Sequence, residues 1–198
     1  MKPLDRILLL ITALLASYQV VQGIAGLSSM AIACYTIGFG VIVIASLMML
    51  ILGFEVLDSP LVVIASTLIP LSLALGLVAQ FIRPILIPYG IFTVMGFLAI
   101  VATRLVGPKK LAVITLAVVH GVAGLTIFFL PIVIAFQAKT PGGFAWVGIG
   151  GMLIGLGGLL LSFLKAGKPL LSRGRILAVF PGLLLLTTAA FVAGFTFV

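Results

Sequence analysis

"VIVIASLMMLILGF" occupies Val41–Phe54 and carries no charge. It does not alternate apolar with polar residues, as a barrel strand facing lipid on one side would. Taken back to residue 31, the apolar run exceeds the roughly 20 residues that cross a hydrocarbon layer. Inside that layer a backbone N–H or C=O has no water to bond, so a lone spanning segment must close its hydrogen bonds internally, as a helix. This one stretch therefore predicts a transmembrane helix.

The same reading extends along the chain. Charges and Gly/Pro punctuation divide it into seven apolar segments: roughly 7–27, 31–54, 60–81, 85–103, 110–136, 144–165 and 176–198. The chain is 64% hydrophobic and 7% charged, whereas soluble domains carry about 25% charged residues. The expectation is an all-α polytopic helix bundle, one transmembrane domain over 1–198. Lys2 and Arg6 precede the first segment as they would a signal peptide. That segment is longer than a signal core and shows no A-x-A site, so it reads as a retained helix.

Cys34 is the only cysteine. An intrachain disulfide, a CxxC redox pair and a thiolate metal cluster are excluded. The net charge of +8 sits at the edges of the apolar runs, which speaks for membrane orientation and against nucleic acid. Lys2, Arg6, Arg104, Lys109, Lys110, Lys165, Lys168, Arg173 and Arg175 fall on one side, and only Arg83 and Lys139 on the other. The positive-inside rule then predicts a cytoplasmic N-terminus, an exterior C-terminus and an inner-membrane location. The basic loops are expected to meet anionic lipid headgroups.

An internal repeat is also expected. "VVQGIAGL" at 20–27 nearly matches "VVHGVAGL" at 118–125. In the same order, "IGFG" at 37–40 pairs with "VGIG" at 147–150, Pro60 with Pro169, and "LIPLSLAL" at 68–75 with "VFPGLLLL" at 179–186. Repeats over 1–82 and 105–198 would leave 84–104 as a linking helix. Four spans separate the two starts, so both copies would enter from the same side, as parallel repeats do. This 3+1+3 layout is similar in topology to sugar transporters of the SWEET type, although no motif of that family is present.

Residues able to carry chemistry are few. His120 lies about ten residues into the fifth segment, about 15 Å deep at 1.5 Å per residue. An ionisable group at membrane depth is a functional candidate, and an interhelical hydrogen bond is the structural alternative. Ala117, His120, Gly121 and Gly124 share one helical face. Gln19 and Gln22, with Gly23 and Gly26, form the matching stripe of the first segment, and both amides should point into the bundle. Pro70 and Pro181 interrupt the third and seventh segments at matched places; Pro131 interrupts the fifth without a counterpart. Each proline removes a backbone donor and frees a carbonyl. Gly148, Gly151, Gly155 and Gly158 form a stripe that admits a close helix neighbour. Glu55 and Asp58 are expected to be solvated or paired with a basic loop near Lys165 or Lys168.

A catalytic reading lacks parts. One histidine, one cysteine and no carboxylate lie at membrane depth, so neither an enzyme, a metal site nor a bis-histidine haem can be assembled. No cofactor is assigned. The first expectation is an accessory, assembly or structural subunit of a membrane complex, contacting other membrane subunits or further copies of itself. The alternative is a transporter or permeation protein for a small uncharged solute. A third possibility is cofactor or pigment binding through His120.

Overall fold

The computed structural model describes residues 1–165 and 171–198, apart from the side chains of Lys109, Ser162, Phe163 and Lys165. Lys168 and Pro169, invoked above, lie outside the described residues, as does the Lys165 side chain. Seven helices are long and apolar enough to cross a membrane. They are α1 (Pro3–Gln22), α2 (Ser29–Leu52), α3 (Pro60–Phe81), α4 (Leu86–Leu105), α5 (Lys109–Phe136), α6 (Ala145–Lys165) and α7 (Arg173–Phe195). No strand forms among the described residues. The protein is an all-α, multi-pass membrane bundle.

Local chemistry sets the helix ends. Pro3 opens α1 with its φ already near the helical value. The Asp5 carboxylate accepts the Lys2 N–H at 2.7 Å and places negative charge at the positive end of the helix dipole. The far end of α1 corrects the sequence reading. The helix stops at Gln22, because Gly23 and Gly26 take φ of +63° and +81°, a left-handed turn that costs a Cβ-free residue little. Gly23 and Gly26 therefore belong to the turn into α2 and not to a helical stripe. Ser28 then caps α2, its hydroxyl accepting the Ala31 N–H at 3.3 Å. Ser172 caps α7 in the same way.

Short connections make successive helices antiparallel. One end of the bundle, the basic end, gathers the N-terminus, the α2–α3 and α4–α5 connections, the end of α6 and the start of α7. Around the bundle, α1 packs on α2, α2 on α3, α3 on α5, α5 on α6, α6 on α7, and α7 on α1. Six helices thus close a ring. α4 lies outside it, against α3 and α5, and is the least buried helix, while α3 is the most buried.

Lipid tails are as apolar as leucine, so this ring is held by close packing and dispersion more than by exclusion of water. Glycines permit it. A Cβ on Gly148 would fall 2.5 Å from the Phe128 carbonyl oxygen of α5, and one on Gly151 2.7 Å from Ile127. On the other face of α6, Gly150 lies against Phe191 and Gly157 against Leu183, both of α7. Gly155 and Gly158 have open space beside them, so the expected four-glycine stripe packs only along its first half.

Away from the basic end, aromatic rings fill the centre. Phe39 meets Phe191 at 6.4 Å and Phe195 at 6.0 Å; Tyr35 meets Phe195 at 4.6 Å; Phe144 meets Phe81 at 5.2 Å. Such tilted and edge-on pairs each add about 0.5–1.5 kcal/mol to simple burial. Gly76 makes room for Tyr35, whose ring would lie 2.6 Å from an added Cβ.

Candidate functional site

The described polar interior concentrates on the seam where α1, α2 and α7 meet. Leu9 of α1, Met49 of α2 and Leu184 of α7 pack in one cluster toward the basic end. One turn further from that end stand Thr12, Ser46 and Thr187, none of them with any exposed surface. The spacing is three residues on each helix, and residues three apart share a face. α2 runs opposite to the other two, so it steps backwards in number from Met49 to Ser46 to Ile42. Another turn on come Ala16, Ile42 and Phe191, again without exposed surface. Three buried hydroxyls therefore stand at one depth; Thr187 lies on the line of α7 whose Leu183 and Phe191 pack on Gly157 and Gly150 of α6.

Their bonding is incomplete. Thr12 Oγ1 donates to the Leu8 carbonyl at 2.8 Å. Ser46 Oγ and Thr187 Oγ1 are buried without a partner. The neighbouring Thr188 donates to the Leu184 carbonyl at 2.9 Å. A buried hydroxyl left unbonded costs about 1–3 kcal/mol. No charge compensates at this level. The acids and bases of α1, α2 and α7 are Asp5, Arg6, Arg173 and Arg175, all at the basic end.

Beyond the aromatic level the seam opens. A basin of about 310 Å³ is lined by Tyr18, Gln19 and Gln22 of α1 and by Phe195 and Thr196 at the end of α7. Beneath it, a pocket of about 10 Å³ reaches Gln19, Tyr35 and Phe39, at the lower limit for holding one water. The phenol oxygen of Tyr35 is buried there without a partner.

The sequence-derived candidates do not converge on one place. Gln19 is buried, but its Nε2 donates to the Gly23 carbonyl at 3.0 Å, so it braces the end of α1. Gln22 is exposed on the basin wall. His120 is half-buried on α5, away from this seam. Its Nδ1 is buried with no hydrogen-bond partner of good geometry, although the Leu116 backbone lies close enough to act on the ring. The expected equivalence of Gln22 and His120 does not hold. The first motif straddles a helix end and a turn, and the second lies wholly inside α5.

Ala117 and Gly121, on the His120 face, are exposed. Gly121 and Gly124 have nothing within 4 Å of an added Cβ, so among the described residues no helix packs closely on these two glycines. Pro70, Pro131 and Pro181 are buried, and α3, α5 and α7 run through them. At the basic end Asp58 pairs with Arg173 at 2.7 Å, both more than half exposed; Glu55 is exposed. Cys34 is buried and free, and no group of three His, Cys, Asp or Glu gathers among the described residues.

Thr12, Ser46 and Thr187 were missed by sequence reasoning. Single hydroxyls are common in membrane helices, where they bond their own helix. Ser46 and Thr187 differ from Thr93 and Thr103, which bond their own helix at 2.9 Å and 2.7 Å, as Thr12 does. The available signal was weak: "TT" at 187–188 in an otherwise apolar run.

No known protein family, curated protein or solved structure matches this chain.

Proposed function

We propose that the protein is not an enzyme but a membrane transporter or permeation protein, passing a small uncharged solute through the α1–α2–α7 seam. The single observation that carries this reading is the stacking along one seam. An open basin leads to an aromatic closure, then to a buried hydroxyl level, then to the Leu9–Met49–Leu184 closure. A bundle whose only task is packing gains nothing from two unbonded hydroxyls at its centre.

The helix ring supports the same reading. Exchanging α1–α3 with α5–α7 carries the α1–α7 contact onto the α3–α5 contact. A parallel 3+1+3 repeat with α4 as linker requires that correspondence, and the pathway then lies at a junction of the two halves. No carboxylate lies at the depth of the hydroxyls and His120 stands on α5 away from the seam, so the pathway holds no ionisable residue for coupling to a proton, and flux runs down the solute's own gradient. The basic end faces the cytoplasm and the basin faces the exterior, by the distribution of Lys and Arg. Reporter fusions after Lys110 and at Val198 test this: cytoplasmic and exterior signals, respectively, are expected.

The transport reading is tested in proteoliposomes by light scattering after a urea or glycerol jump. Recovery several times faster than in protein-free vesicles, with potassium and chloride excluded, is the expected result. Equal rates with and without protein would favour a second reading, an accessory or assembly subunit of a membrane complex. That reading draws on the open glycines Gly121 and Gly124 of α5 and Gly155 of α6, which leave room for a helix of another subunit.

A further inference from the structure

We infer that the basin at the mouth of the α1–α2–α7 seam is a binding site for a neutral planar amide, a molecule carrying N–H and C=O side by side, from urea to an aromatic carboxamide. The inference deepens the transport reading above by naming an outer site and a substrate class, and binding is measured apart from flux.

One cavity joins the residues concerned. The basin of about 310 Å³ is lined by Tyr18, Gln19 and Gln22 of α1 and by Phe195 and Thr196 at the end of α7. Tyr18 and Gln19 precede Gln22 by four and three residues, so α1 presents all three on one face. The volume equals about ten waters at roughly 30 Å³ each and stands at the small end of ligand pockets, which suits a single small ring. Among the described residues no charged side chain lines it, so an ion would give up hydration without a counter-charge.

The amides set the chemistry. A primary amide holds a donor and an acceptor in one plane, and its complement is a second amide edge, met by two parallel hydrogen bonds. Glutamine reads the edge of a purine in the same two-point way. Gln22 is exposed on the wall, so its donors and its acceptor are free for a ligand. Gln19 gives one N–H to the Gly23 carbonyl at 3.0 Å, which fixes the side chain and leaves its other functions open. Hydrogen bonds exchanged with water net little by themselves, and the aromatic rings supply the rest. Phe195 is held at 4.6 Å from Tyr35, 6.0 Å from Phe39 and 6.2 Å from Phe144, so its ring needs no reordering to receive a flat solute. Exposed Tyr18 adds a second ring, and planar solutes stack on such rings.

The test measures nicotinamide binding to the full chain in nanodiscs by saturation-transfer NMR. N,N-dimethylnicotinamide, which lacks the amide N–H, and nicotinate, which is charged, run beside it. Nicotinamide is expected to saturate with a Kd of about 1 mM, and both analogues to bind at least about fivefold more weakly. Gln22→Met keeps the length of the side chain and removes its donors and acceptor. It is expected to weaken nicotinamide about fivefold for each hydrogen bond lost, to leave the dimethyl analogue unchanged, and to melt like wild type because Gln22 is exposed. Absence of saturable nicotinamide binding overturns the site. Equal affinities for the three probes, or a Gln22→Met variant that matches wild type, overturn it as well. Urea flux through the same protein keeps the two readings apart. Flux without nicotinamide binding removes the site and leaves the transport reading, whereas binding without flux removes the transport reading and keeps the site.

Discussion

The side chain of Gln80, at the end of α3, accepts the backbone N–H of Ser28 at 2.9 Å across 52 residues of sequence. That N–H precedes the first turn of α2 and has no other acceptor in the α1–α2 turn. The bond draws the turn over α3 and holds the wall of the basin in place. Gln80→Leu leaves the donor unpaired and should cost about 1–3 kcal/mol. A lower melting temperature in detergent, with faster amide exchange at Ser28, is the expected readout. Unchanged exchange would mean that the turn is held by its glycines alone.

Leucine substitutions separate the two halves of the α6 glycine stripe. Gly151→Leu drives a side chain into the backbone of α5 at Ile127 and Phe128. Overpacking of this kind costs about 1–3 kcal/mol, occasionally more. Gly155→Leu enters open space and should leave stability nearly unchanged. Parallel thermal melts decide, and equal losses would contradict the packing described for α6.

His120 gives a prediction opposite to the one its sequence position invites. A histidine bonded to a neighbouring helix would resist replacement by leucine. Here Nδ1 is buried without a well-formed bond, so His120→Leu removes an unsatisfied group and should change stability by less than about 1 kcal/mol, or raise it. A melting temperature lowered well beyond that range would reveal a polar partner.

Asp58 and Arg173 join the α2–α3 connection to the start of α7. Both side chains are more than half exposed, and exposed pairs contribute about 0–1 kcal/mol. Asp58→Asn should therefore melt within that margin of wild type, and any difference should shrink as salt rises. A large loss that persists in high salt would assign the pair a structural weight that its exposure denies.

The number and rough limits of the helices were legible because membrane depth dictates both length and apolarity. The third segment, 60–81, coincides with α3, bounded by Pro60 and by the break before Arg83. The end of α1 was not legible. "QGIAG" is apolar enough to continue a helix, and only the positive φ of Gly23 and Gly26 stops it. Facing was legible least. Periodicity shows which residues share a stripe, but in a chain apolar on every side it does not say which stripe meets protein and which meets lipid. Gly151 and Gly155 look alike in the sequence and differ wholly in contact. For the same reason His120 drew notice as the one ionisable group at depth, while Ser46 and Thr187 passed as ordinary hydroxyls.

The central claim is that the seam between α1, α2 and α7 opens to water from both sides. Ser46→Cys in a Cys34→Ser background places the only thiol at the hydroxyl level. Intact oriented proteoliposomes are then exposed to a small membrane-impermeant methanethiosulfonate, added outside or trapped inside. The account predicts slow labelling from either side, slowed further by urea, and none at a control thiol placed by Ala123→Cys, buried on α5 in the same background. Labelling of the Ser46→Cys variant no faster than that of the Ala123→Cys control, from both sides, would contradict it, and the bundle would then be a sealed one.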